Sequence, residues 1–235
     1  EDAILEAVNF CLGRHQDWTG QRVLVSAGPT RELIDAVRFL SNGSTGKMGY
    51  AIAEAAAQRG AEVILVSGPT SLIPPANMET ISVVTAQEMD KALKSRFSWA
   101  TVLIMAAAVG DFRPSQIVSR KAKKDEWSGE SLALERNPDI LVELAQQRTH
   151  QLLVGFAAET ENHVENGEKK LRQKTLDLIA INHVSGPSSA FGNETNEITL
   201  VTRSGESQHL SRTPKLLVAP QHLDAIVPLF PEEQN

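Results

Sequence analysis

The polar residues that could do chemistry gather in three stretches. The first is Ser41-Asn42-Gly43-Ser44-Thr45-Gly46-Lys47-Met48-Gly49, which has the small residues, hydroxyls and lysine of a phosphate-binding loop. A Walker A loop requires G-x-x-x-x-G-K followed by Ser or Thr, whose hydroxyl reaches magnesium. Here Gly43 and Gly46 stand too close together and Met48 follows Lys47, so the nucleotide-triphosphatase reading fails on spacing and on chemistry. Thr30, Arg31, Asp35, Arg38, Asn42, Ser44, Thr45 and Lys47 remain available, and amides at a helix start near Gly46 could hold an anion. A turn with a Ser/Thr cap is the competing reading.

The second stretch follows the apolar run Val102-Leu103-Ile104-Met105. Ala106, Ala107, Ala108 and Gly110 leave a strand end without bulk, where a flat ring can approach the backbone. Asp111, Phe112 and Arg113 come next, and then the basic cluster Arg120, Lys121, Lys123 and Lys124. Cations in this number could offset a triphosphate, or form a solvated charge run. The third stretch pairs Gly155-Phe156-Ala157-Ala158-Glu159 with Lys169, Lys170 and Lys174, of which Lys170 and Lys174 share one helix face. No close His spacing suggests a transition-metal site, and no G-x-S-x-G elbow is present.

Something must position these loops, and the hydrophobic pattern predicts what. Asp2 to Arg14 has amphipathic-helix spacing, followed by a connector to Gly20. From Arg22 on, apolar runs alternate with helical patterns. RVLVSAG, AEVILVSG, TISVVT, ATVLIMAA, QLLVGFAA and DLIAIN read as strands. Residues 47–59, Ala86 to Phe97, Asp139 to Gln147 and Val164 to Lys174 read as helices. Asn137-Pro138-Asp139 reads as a helix start, with Asn as N-cap and Pro at the first helical position. NEITLVTRSGESQHL then reads as a hairpin around Ser204-Gly205, and a closing helix comes after it, interrupted by Pro220. The expected fold is α/β: a Rossmann-like, doubly wound, mostly parallel sheet with helices on both faces and a late antiparallel β-hairpin. Residues 1–20 form the N-terminal helix and connector, and 21–235 a single α/β domain. Ligands in such folds sit beyond the carboxyl ends of the strands, where the three stretches lie.

Composition narrows the classes. A chain of 235 residues, 41% hydrophobic, can bury a substantial core. A net charge of -6 with dispersed Lys and Arg argues against a nucleic-acid surface. No apolar run is long enough for a membrane span, and the expected setting is cytoplasmic. The single cysteine, Cys11, lies among apolar residues and reads as packing; it excludes an intramolecular disulfide framework. The ordinary dinucleotide fingerprint G-x-G-x-x-G is missing after the first strand, which disfavours the alternative of a nicotinamide-dependent reductase. A non-catalytic nucleotide-binding module is a third reading.

In order along the chain, AGPTRELIDAVRFLSNGSTGKMG, AAAVGDFRP, KAKK, NPDIL, GFAAET, the Lys170/Lys174 pair and DLIAIN resemble phosphopantothenate-cysteine ligase of the bacterial, CTP-dependent type. The resemblance spans about Arg22 to Phe230. It implies a ligase that joins 4'-phosphopantothenate to cysteine in coenzyme A biosynthesis, through an acyl-cytidylate, releasing pyrophosphate and then CMP. It assigns Asn42 and Lys121 to catalysis. It assigns Ala107, Asp111, Lys121, Pro138, Asp139, Ile140, Leu141, Phe156, Lys170 and Lys174 to CTP, and Asn42, Arg38, Ser44 and Thr45 to the substrate. The triphosphate implies magnesium, with no all-protein cage visible. A homodimer with the late hairpin as a contact element is also implied, as is fusion to a flavin-dependent decarboxylase, which the absence of an initial methionine fits. Ala36 stands where the family usually has proline, Thr45 replaces serine, and Gly110 replaces alanine.

Overall fold

The computed structural model describes residues 16–76, 78–121, 123, 131–159, 161–183 and 194–231. The expected helix over Asp2 to Arg14, with Cys11, lies outside the described residues. In chain order the elements are β1 (Arg22–Ala27), β2 (Arg31–Leu33), β3 (Phe39–Ser41), α1 (Lys47–Gln58), β4 (Glu62–Ser67), β5 (Glu79–Ser82), α2 (Ala86–Phe97), β6 (Val102–Met105) and β7 (Phe112–Pro114). They continue with β8 (Leu134–Arg136), α3 (Ile140–Gln146), β9 (Leu152–Glu159), α4 (His163–Gln173), β10 (Leu178–His183), β11 (Thr195–Thr202), β12 (Ser207–Pro214) and α5 (Lys215–Asp224). A 3₁₀ turn closes the series at Val227–Leu229.

The apolar runs form one eight-stranded sheet, ordered β12-β11-β10-β9-β6-β1-β4-β5. Central pairs are parallel: Val25 sits opposite Leu65 on one side and Ile104 on the other. Only the last two strands turn antiparallel, with Leu200 facing Ala180. Successive side chains of a strand point to opposite faces, so the sheet builds two cores. Val23, Val25, Leu65, Ile104 and Val154 pack with α1 and α5. Leu24, Val66, Leu103, Leu153 and Ile179 pack with α2, α3 and α4. Runs apolar on both faces are what a covered parallel sheet requires.

Local chemistry sets the helix starts. Thr85 accepts from the Glu88 amide at 3.2 Å while the Glu88 carboxylate accepts from the Thr85 amide at 3.2 Å, a reciprocal cap on α2. Buried Glu32 adds its carboxylate to the same helix start, accepting from Ala86 N at 2.9 Å. Gly46, at φ 79°, brings the chain so close to Gly28 that a Cβ would stand 3.3 Å from the Gly28 Cα. Only glycine serves there.

The structure departs from the expected elements at several places. The cap of α3 is Asp139, whose carboxylate accepts from Val142 N at 3.2 Å; Asn137 instead donates to the Gly110 carbonyl at 2.8 Å. Helix α5 continues through Pro220. The connector before β1 is packed: Trp18 is fully buried, edge-on to Phe230, and Asp17 pairs with Arg59. Two small hairpins, β2–β3 and β7–β8, lie inside connections that the hydrophobic pattern leaves as loops.

Candidate active site

Strand order reverses beside β1: the chain goes outward through β4 and β5, then returns to the other side at β6. Loops after β1 and β6 therefore diverge and leave a crevice at the strand ends. A cavity of about 700 Å³ occupies it, a size suited to a nucleotide-sized ligand. Its walls are Asn42, Ser44 to Gly49, Met105 to Phe112, Arg136 to Leu141, Gly155 to Ala158, and residues that include Lys170, Lys174, Asn182, Asn196 and Lys215.

Each wall has its own support. The wall after β6 is tied to the β1 loop through the main chain. Asn42 Nδ2 donates to the carbonyls of Ala108 at 3.1 Å and Val109 at 3.2 Å. Gly110 N donates to Thr30 Oγ1 at 2.9 Å, and the Ala107 amide to Ser26 Oγ at 3.2 Å. Asn137 closes the far side, accepting from Arg113 Nη1 at 2.9 Å as it donates to Gly110. Ala106, Ala107 and Ala108 expose the flat floor that the small side chains promise.

Phe156 forms the opposite wall, at the end of β9. Behind it lies His222 of α5, stacked at 5.2 Å between ring centroids and 23° between planes. His222 is fully buried and neither ring nitrogen has a hydrogen-bond partner. Burial pushes its imidazole down to about 3, so it is neutral at physiological pH.

Cations line one end. Lys170 Nζ pairs with Glu159 at 2.6 Å and Lys174 Nζ with Asp139 at 2.7 Å, so both ammonium groups are oriented across the mouth between α4 and its neighbours. These are partly exposed pairs, individually worth about 1 kcal/mol or less, and a phosphate can compete for them. Lys47 and Lys215 line the cavity as well.

The cleft thus brings together Asn42, Ser44, Thr45, Ala107, Asp111, Pro138, Asp139, Ile140, Leu141, Phe156, Lys170 and Lys174. It leaves out two of the expected residues. Arg38 lies against Asp35, with Nε 2.9 Å from Oδ2, and buried Asp35 also accepts from the Arg38 amide at 2.7 Å. Lys121 is exposed and is not on the cavity wall. Of the KAKK stretch, Lys121 and Lys123 are described, and Lys124 lies outside the described residues. The sequence reading missed Asn182, Asn196, Arg136 and Lys215. Asn182 closes a strand already recognised, and its polarity at a strand's carboxyl end is the signal that could have found it.

A family model described as the DNA/pantothenate metabolism flavoprotein C-terminal domain matches residues 18–229. The chain belongs to this family. Two relatives are the coenzyme A biosynthesis bifunctional protein CoaBC of Bacillus subtilis, 46% identical over 89% of this chain, and that of Escherichia coli K12, 41% identical over 91%. The chain spans about half the length of these relatives, 52% and 53%. Among solved structures, the C-terminal domain of a CoaBC superposes with a TM-score of 0.78 at 41% identity, covering 91% of this chain and 97% of that one. A Cab2 variant in complex with phosphopantothenate-cysteine shares the fold at a TM-score of 0.69 and 16% identity, covering 95% of this chain and 90% of that one.

Proposed function

We propose that the chain is the phosphopantothenate-cysteine ligase part of such a protein, and that the cleft holds CTP and 4'-phosphopantothenate side by side. One observation carries the reading: a single cavity gathers twelve of the fourteen residues expected from the family resemblance, at the point where the sheet reverses.

The chemistry comes from the substrates. A free carboxylate resists an amine because its leaving group is poor, so its oxygen first attacks the α-phosphorus of CTP. Pyrophosphate leaves and an acyl-cytidylate forms. The cysteine amine then adds to the acyl carbon, a proton is lost from nitrogen, and CMP departs. Phe156 and the alanine floor sandwich the base. Lys170 and Lys174 hold phosphate oxygens. Asn42 holds the loop edge beside the reacting carbonyl, with its amide hydrogens on the Ala108 and Val109 carbonyls. Lys121 and Arg38 lie off the cavity wall, and the reading rests on neither of them.

Magnesium fits the donor set in a limited way. The described residues contain no cluster of three or more His, Cys, Asp or Glu, but Asp111 and Asp139 line the cavity. One or two carboxylates plus phosphate oxygens and water are the usual magnesium environment, and the ion would offset phosphate charge there. The protein is proposed to work as a homodimer in the cytoplasm, fused in its full-length form to a flavin-dependent decarboxylase; no described helix is long and apolar enough to cross a membrane.

The deciding experiment is pyrophosphate release measured with each of the four ribonucleoside triphosphates. Release from CTP is expected only with phosphopantothenate present, and amide only after cysteine is added. Hydride transfer from a nicotinamide, or no pyrophosphate under these conditions, rejects the proposal.

A further inference from the structure

The hairpin β7–β8 carries two cross-strand pairs of contrasting chemistry. Arg113 stands opposite Glu135, and the two close an ion pair at 2.7 Å. One residue along, and so on the other face of the hairpin, Arg136 stands opposite Phe112 instead of an acid, with its Cζ 5.9 Å from the ring centroid. Both residues of this second pair line the cavity, and neither residue of the first does. An aromatic ring attracts a guanidinium without cancelling its charge. Among the described residues Arg136 forms no ion pair. Three lysines of the same cavity differ: Lys47, Lys170 and Lys174 each face a carboxylate of the chain, in Glu194, Glu159 and Asp139.

The place of Arg136 narrows what it can meet. Its neighbour Asn137 donates to the Gly110 carbonyl at 2.8 Å, on the same lip where Asn42 holds Ala108 and Val109. That lip is where the reacting carbonyl is placed. The phosphate oxygens are assigned elsewhere, to Lys170 and Lys174 at α4. A guanidinium is a planar fork whose parallel N–H groups match a carboxylate two to two. In the ligase reading one substrate brings a carboxylate that is neither activated nor transferred. This is the α-carboxylate of the incoming amino acid, which remains ionised in the product. Moving such a charge out of water is costly unless a cation meets it.

We propose that Arg136 receives the α-carboxylate of the amino-acid substrate, and thereby selects an α-amino acid over a simple amine. The inference rests on the ligase reading of the cleft, and it adds the group that recognises the second substrate. The contact is a charge-assisted pair of hydrogen bonds that forms and breaks no covalent bond. It leaves the amine free to add to the acyl carbon.

Amide formation by the whole chain, with cysteine and separately with cysteamine, tests it, because cysteamine keeps the thiol and the amine and lacks the carboxylate. Wild-type protein is expected to prefer cysteine in kcat/KM. In Arg136→Gln the value for cysteine is expected to fall about 10- to 100-fold relative to that for cysteamine, mainly through KM, the range of hydrogen bonds to a charged group. Arg136→Lys keeps the charge without the fork, and is expected to retain part of the preference. Thermal melts of both variants separate these effects from misfolding. A preference for cysteine that survives intact in Arg136→Gln overturns the inference, as does a loss of CTP affinity as large as the loss for cysteine. Wild-type protein that takes both amines equally well overturns it too, while the ligase reading stands. Wild-type protein that makes no amide from cysteine removes that reading, and the role of Arg136 with it.

Discussion

Asn42 shows how one side chain sets the edge of the site. Both of its amide hydrogens are committed to main-chain carbonyls, at 3.1 and 3.2 Å. Asn42→Asp turns two donor contacts into carboxylate facing carbonyl oxygen. The expected result is a folded protein whose amide formation slows tenfold or more while pyrophosphate release is less affected; equal rates in a single-turnover assay would remove Asn42 from the second step. His222 makes a different prediction. Its folded value of about 3 lies below the ordinary 6.5, so the unfolded chain gains a proton first as pH falls. Stability is therefore full above 6.5 and declines between 6.5 and about 3. Each pKa unit is about 1.4 kcal/mol. His222→Leu is expected to reduce the loss between pH 7 and pH 4.5 by about 2 kcal/mol, read from urea unfolding at the two pH values. An equal loss in both proteins would reject this source of acid sensitivity. Nothing in the sequence around His222 marks it as buried, because a lone His in an amphipathic helix has the same pattern on either face.

At the scale of elements, legibility tracks hydrophobic contrast. The buried strands β1, β4, β6, β9 and β10 stand out because covered parallel strands need near-continuous apolar runs. Helix α2 is legible from Ala86 to Phe97, helped by the Thr85 and Glu88 cap. Hairpins β2–β3 and β7–β8 are not. Their strands have three residues each, too short to show alternation, and β7 meets β8 only across a long connection, with Pro114 opposite Leu134. The start of α3 departs from its sequence reading because one principle overrides another: Asn137 is a good N-cap type, yet its amide is more valuable tying Gly110, and Asp139 caps instead. Helix α4 carries a packing requirement as well as its lysines. A Cβ on Gly167 would come within 2.5 Å of Ile181 Cγ1 on β10. Gly167→Ala is expected to cost about 1–3 kcal/mol despite the better helix propensity of alanine, measured by denaturant unfolding. A stabilised variant would mean that α4 does not sit tightly on the sheet.

For the molecule as a whole, the exposed apolar side chains are unevenly placed. Val37 and Phe39 of the first hairpin connection, and Phe112, Ile117, Val118 and Leu134 of the second, are all solvent-facing in the single chain. The two connections touch through the bridge between Asp35 and Val118. The family resemblance points to the late hairpin as a contact between copies, but β12 is polar at most of its exposed positions. If the protein is a homodimer, this apolar face is the better contact. Phe39→Asp is expected to shift the mass in light scattering from two copies to one; an unchanged dimer would move the contact elsewhere.

The rim of the cleft is joined through backbone oxygens and nitrogens: Ala108 and Val109 as acceptors, Gly110 as both donor and acceptor. Such a rim is forgiving of its own drift. At Gly110, an added methyl would meet nothing closer than 3.4 Å, so an alanine there leaves the wall unchanged. The demand falls instead on Thr30, Asn42 and Asn137, whose side chains reach those backbone atoms from elsewhere. The lip of this site is thus held in shape by side chains that are not its own.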